Sequence, residues 1–139
     1  MSRRWGDLLH QVGRRGASLI FFALVDLVWA YGLTAAPANP GNEFVAHLLP
    51  LPVWAALWAA VGGLCLIYAF RSSDRVAFAA ASLLKVAWGT LYLLGWALGE
   101  IPRGYLATVI WLAFAGFVQV IAGWMENRGP EWTPPSTSP

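Results

Sequence analysis

The chain has 139 residues, of which 58% are hydrophobic and 12% charged, with a formal net charge of +2. A soluble domain carries roughly twice that share of charge, so the composition excludes an ordinary water-soluble globule. The near-neutral balance excludes nucleic acid as a partner, and a mean hydropathy of +0.57 points instead to a lipid bilayer.

In chain order, the first signal is an apolar stripe. Trp5, Leu8, Leu9 and Val12 recur at helical spacing while Arg3, Asp7, Gln11 and Arg14 face elsewhere, which predicts a short amphipathic helix over 1–16. Such a helix suits the cytoplasmic headgroup layer or a cap on the end of a bundle. Next comes an apolar run from Ala17 to Ala36, close to the ~20 residues that cross ~30 Å of hydrocarbon. It is too long for the core of a signal peptide and holds Asp26, so it reads as a retained span.

Ala36 to Pro52 holds four prolines, with Asn39, Gly41 and Asn42, and reads as a loop with one or two helical turns over Glu43–Leu49. Val53–Phe70 is the second span, Val76–Leu98 the third and Tyr105–Trp124 the fourth. Arg71–Arg75 and Gly99–Gly104 are polar turns, the latter closed to helix by Pro102. Residues 127–139 are rich in Pro and Ser and predict a disordered cytoplasmic tail. The fold class is therefore all-α integral membrane: a four-transmembrane-helix bundle over 17–126 preceded by an amphipathic helix.

The basic residues set an orientation. Arg3, Arg4, Arg14, Arg15, Arg71, Arg75 and Arg128 fall on one side and only Arg103 on the other. This asymmetry predicts that both termini are cytoplasmic and that the protein sits in the cytoplasmic membrane. Trp54 and Trp58 near the outer end of the second span, Trp29 and Tyr31 in the outer half of the first, and Trp124 at the inner end of the fourth read as an aromatic belt at the two interfaces.

Two residues stand out for chemistry. Asp26 and Lys85 each lie well inside an apolar span, where a lone charge costs ~2.5–3.5 kcal/mol on insertion scales. Both spans start from the same side, and the two residues sit at nearly equal depth. An ion pair forms if the first and third spans are neighbours. Ser82 and Tyr92 share a helical face with Lys85, and Thr108 and Gln119 share one on the fourth span. Gln119 lies near the Asp26 level and is expected to hydrogen-bond to the pair. Two roles compete: a structural lock on helix register, or part of a polar path for ions, protons or a substrate.

Small residues in the second span (Ala56, Ala59, Ala60 and Gly63) and Gly95 with Gly99 in the third favour close helix contacts, and with them a homo-oligomer. The sequence carries no HExxH, GxSxG or Walker A pattern, so no catalytic residue, metal or cofactor is expected. His10 and His47 lie on opposite sides of the predicted membrane and cannot share a metal with Cys65. As the single cysteine, Cys65 excludes an intramolecular disulfide and reads as a small core hydrophobe.

The basic residues are one lysine and eight arginines, the bias of a GC-rich coding genome such as that of an actinobacterium or one of its phages. Arg14-Arg15-Gly16-Ala17-Ser18, the span around Asp26, Lys85-Val86-Ala87-Trp88-Gly89 and Pro102-Arg103-Gly104-Tyr105 resemble segments of small four-span membrane proteins encoded by actinobacterial phages near their lysis genes. The resemblance covers most of residues 14 to 126. It implies a holin-like role: accumulation in the membrane, oligomerisation and a timed loss of the permeability barrier. A small transporter or channel with an Asp26/Lys85 path, or a membrane-anchored adaptor presenting its tails, are the alternatives.

Overall fold

A computed structural model describes residues 2–35, 39–71 and 73–126, with side chains for those between 16 and 123. The described chain is all helical: α1 (Ser2–Ala35), α2 (Pro40–Leu48), α3 (Leu51–Ala69), α4 (Arg75–Ala97) and α5 (Gly104–Glu126). Four stretches are long and apolar enough to cross a membrane: Gly16–Ala35, Leu51–Ala69, Arg75–Ala97 and Gly104–Gly123. Each lies within two residues of a predicted span. The protein is a four-helix membrane bundle, with α1, α3, α4 and α5 running up, down, up and down.

One expectation about the N-terminus changes. The 1–16 stretch is not a separate amphipathic helix; α1 runs from Ser2 to Ala35 without a break. Gly13 and Gly16 each cost about 1 kcal/mol against alanine inside a helix, too little to end it without a proline. The face formed by Trp5, Leu8, Leu9 and Val12 lies outside the described side chains, as does Trp124. The tail over 127–139 lies outside the described residues altogether.

The loop after α1 becomes α2, longer than the turns predicted there. Asn39 caps it by accepting from the Asn42 N–H at 2.9 Å, and Pro40 occupies the first turn, where its missing N–H is no loss. Val45 is wholly buried beneath α2. The Trp54 indole of α3 donates to the Val45 carbonyl at 3.0 Å. These contacts hold α2 across one end of the bundle.

The four long helices form two antiparallel pairs. α1 lies along α3, and α4 lies along α5, whereas α1 approaches α4 and α5 in only a few places. Missing side chains permit the close approaches. At Gly62 of α3 an added Cβ would stand 3.2 Å from the Ala23 carbonyl of α1, and at Gly89 of α4 it would stand 3.2 Å from Trp111 Cβ of α5. The buried face of α3 is Ala55, Trp58, Gly62, Cys65 and Ala69. The predicted small-residue face was displaced from it by one position: Ala56 and Ala60 are exposed, and Gly63 faces open space. Gly95 packs against Ile101 and Phe44, while Gly99 takes a left-handed φ of 79° in the turn and makes no helix contact.

Two cores fill the interior. Leu19, Phe22, Ala23, Cys65, Ala69, Ala77, Phe78, Ala81 and Val118 pack near the end where α1 enters and α5 leaves. Ala30, Leu33, Val45, Ala55, Trp58, Trp88 and Trp111 pack toward α2. Outward-facing side chains such as Val28, Leu83, Val109 and Ile110 are exposed and apolar, as a lipid-facing surface requires.

The α4–α5 turn offers a test of this packing. A Cβ on Gly104 would lie 2.5 Å from the Tyr92 carbonyl and 2.9 Å from Trp96 Cβ, whereas one on Gly116 meets nothing within 4 Å. Gly104→Ala is expected to lower stability by about 1–3 kcal/mol and Gly116→Ala to leave it unchanged or slightly raised. Thermal unfolding of the two variants in detergent measures the difference.

Candidate functional site

α1 and α4 run parallel and in register, so residues separated by a constant offset meet as successive rungs across the bundle. Lys85 Nζ lies 2.6 Å from Asp26 Oδ1, with both side chains wholly buried. One turn toward α2, Trp29 meets Trp88 edge-on at 6.2 Å. One further turn on, Leu33 and Tyr92 both line a surface cleft. In the other direction the positions are Phe22 and Ala81, then Leu19 and Phe78, all in the apolar core. The ion pair thus sits where a dry core gives way to an aromatic one. It also ties together two helices whose backbones otherwise scarcely approach.

The ammonium is held by more than its counter-charge. It lies 5.4 Å from the Trp58 ring centroid and 5.3 Å from that of Phe114, inside the range in which a ring face attracts a cation. The carboxylate is less well served. Oδ1 accepts from Lys85, while Oδ2 is buried without a hydrogen-bond partner among the described residues.

Trp29, Trp54 and Trp58 do not form the predicted belt, whereas Tyr31 is exposed and Trp124 lies outside the described side chains. Trp58 and Trp88 are wholly buried. Trp29, Trp58, Trp88 and Trp111 pack ring on ring at centroid distances of 4.8–6.2 Å, with Trp54 against Trp88 at 5.4 Å. They come from α1, α3, α4 and α5, so the aromatic cluster joins all four spans. Trp96 and Tyr105, paired at 5.5 Å and exposed near the α4–α5 turn, fit an interfacial place.

The remaining polar side chains divide into satisfied and unsatisfied groups. Ser82 Oγ donates to the Ala115 carbonyl at 3.4 Å, and Thr108 Oγ1 reaches the Gly89 and Gly104 carbonyls at 3.1 and 3.0 Å. Both therefore fasten α4 to α5, and their hydroxyls bond to backbone carbonyls and not to the ion pair. Gln119 is exposed, contrary to the expectation that it reaches the pair. The buried stripe of α5 is Thr108, Trp111, Ala115 and Val118, and the next residue turns about 100° away from it. At four residues before Gly123 its amide lies roughly 6 Å from the end of the span, within reach of the headgroup layer.

The unsatisfied atoms are gathered in one region. Asp26 Oδ2 and the indole nitrogens of Trp29, Trp58 and Trp88 are the buried side-chain polar atoms without a partner among the described residues. All four lie at the ion pair or on the Trp rung above it. Above them opens a cleft of about 150 Å³ lined by Trp29, Gly32, Leu33, Asn39, Asn42 and Tyr92. Asn42 is only 6% exposed, and its backbone N–H is taken by the Asn39 cap. Tyr92 also closes over Gly41, where a Cβ would stand 2.6 Å from its hydroxyl. Among the described residues no three His, Cys, Asp or Glu side chains are grouped to hold a metal. No family model, curated protein or solved structure matches the chain.

The pair invites a double-mutant cycle. Asp26→Ala or Lys85→Ala is expected to destabilise the bundle by about 3–5 kcal/mol, because each leaves a lone charge in an apolar interior. The double variant removes both charges and is expected to lose much less than the combined single effects. Unfolding in detergent, followed by the fluorescence of the Trp cluster, measures all three; additive losses would show that the residues are uncoupled.

Proposed function

We propose that this polytopic membrane protein is a small non-enzymatic carrier in which the cleft, the Trp rung and the Asp26–Lys85 pair form half of a polar path for a solute. The observation that carries this reading is the confinement, among the described residues, of the unpartnered buried polar side-chain atoms to the stretch between the pair and the cleft. Buried polar groups in folded proteins are otherwise paired nearly always, and elsewhere in this bundle Ser82, Thr108 and Trp54 are paired. Polar atoms left without partners in one contiguous place are a lining that a polar occupant satisfies.

The path ends at the pair. Below it Leu19, Phe22, Phe78 and Ala81 close the interior, so the arrangement suits a carrier that opens to one side at a time rather than an open pore. The two helix pairs, α1 with α3 and α4 with α5, are the units that can rock about the shared interior. With the basic residues retained on the cytoplasmic side, the cleft faces out of the cell.

Holin-like permeabilisation is a second reading, and one observation favours it. Gln119 is presented on the outer surface of α5 beside Gly116 and Gly123, where no atoms crowd an added Cβ. An amide and two glycines on a lipid-facing surface favour helix self-association, which a permeabilising assembly requires. Under this reading, expression leaves the membrane potential intact until a threshold amount and then collapses it. Potential-sensitive dye fluorescence against expression level reads the transition, and an intact potential at high membrane content removes the lytic role.

The carrier reading is tested by labelling single cysteines in a Cys65→Ala background with an impermeant thiol reagent added to intact cells. Glu43→Cys on α2 and Leu33→Cys in the cleft are expected to react, and Phe22→Cys in the closed core is expected to be protected. Protection of Leu33→Cys with reaction at Phe22→Cys overturns the proposed path; no reaction at Glu43→Cys reverses the orientation.

A further inference from the structure

The polar lining has an unequal stoichiometry, and that inequality selects a ligand. The indole nitrogens of Trp29, Trp58 and Trp88 are donors only, so the buried lining offers three unused donors. Against them stands one unused acceptor, Asp26 Oδ2. The cleft adds the Asn42 amide and the Tyr92 hydroxyl, each able to donate or accept. A complementary ligand brings more acceptor sites than donors, and at least one donor.

Several ligand classes fail this count. An organic cation has no acceptor for the indoles. A urea-like amide brings more N–H groups than carbonyls. A simple anion satisfies the indoles but leaves Asp26 Oδ2 facing a like charge. An undissociated carboxylic acid meets every term: its two oxygens accept, and its O–H donates. It is also neutral, as the Asp26–Lys85 pair is neutral in sum, so no net charge enters the low-dielectric interior. Edge-to-face packing among the tryptophans sets ring edges against ring faces, and a ring face is a weaker partner for an N–H than a carboxyl oxygen is. Asp26 Oδ2 has no such substitute.

We propose that the occupant of this path is a small monocarboxylic acid, taken up from the cleft in its protonated form. The proposal rests on the carrier reading and adds the substrate class. At the cleft the acid meets the Trp29 indole; farther in, its O–H donates to Asp26 Oδ2 and an oxygen accepts from the Trp88 indole, two groups that are wholly buried until the path opens. No covalent bond changes, and Lys85 keeps its proton and its place on Oδ1. The cleft volume of about 150 Å³ admits an acid of a few carbon atoms, with Leu33 and the Trp29 ring against its apolar part; Asp26 and Trp88 lie deeper and do not line it. Each carboxylate that crosses carries one proton with it.

The test uses the full-length protein in detergent, with the intrinsic fluorescence of the Trp cluster as the binding signal and lactate as the probe. Saturable binding is expected. At pH values well above a carboxyl pKa of roughly 4, only the acid form binds, so the apparent affinity for total lactate should improve about tenfold for each unit the pH falls. Trp29→Phe and Trp88→Phe keep a ring and lose a donor, and each should weaken binding about three- to tenfold. Methyl lactate, which lacks the acidic O–H, should bind with no pH dependence and more weakly. Binding of choline in preference to lactate overturns the substrate class, as does pH-independent lactate binding or no saturable response to lactate. Those results leave the polar path standing if Leu33→Cys still reacts from outside. Protection of Leu33→Cys removes the path itself.

Discussion

The bundle depends on a contact between opposite charges inside an apolar interior. Neither Asp26 nor Lys85 is tolerable there alone, so each obliges the other to be present at the same level. α1 and α4 have few other close approaches, so the 2.6 Å contact fixes their relative depth, while α3 against α4 and the Trp cluster complete the seam between the two helix pairs. Lipid offers no hydrophobic drive to hold helices together, which makes a directional contact between the pairs more consequential than it would be in water.

Around that contact the interior is graded. Toward the end where α1 enters, the core side chains are Leu, Phe, Ala, Val and Cys65, and among the described residues none there leaves a buried polar side-chain atom unpaired. Toward α2 they are tryptophans, whose rings fill space like hydrocarbon while each carries one N–H that must be satisfied. A cluster of this kind packs densely and stays chemically incomplete. The same residues that cement the four spans therefore define the place where a polar guest is welcome, and stability and binding draw on one set of side chains.

Much of the fold was legible because membrane spans announce themselves by length and by scarcity of charge. The depth match of Asp26 and Lys85 followed from counting residues from a common side. What stayed hidden was which way each helix faces. A span in lipid is apolar all round, so periodicity separates inside from outside poorly; polarity, depth and a face shared with Thr108 point Gln119 inward in the sequence, and the small residues of α3 point to a face one residue away from the buried one. The general preference of tryptophan points to the interfaces. A better signal was present: Trp29 and Trp88 each follow a membrane charge by three residues, which puts each on the same helical face as its charge. The continuity of α1 through Gly16 was hidden for a different reason, since the change from amphipathic to uniformly apolar sequence marks a change of surroundings and not a break in the backbone.

The parallel register of α1 and α4 also says where this chain can vary in length. Residues in the connection between α4 and α5 lie outside every rung, so their number does not alter which side chains meet between α1 and α4. Within α4 the case differs. One residue added between Ser82 and Tyr92 would rotate everything beyond it by about 100°, separating one rung from the next and sending an indole or the tyrosine into lipid. Related chains are thus constrained to conserve spacing within the two parallel spans more strictly than residue identity at their lipid faces, and length differences belong in the linkers.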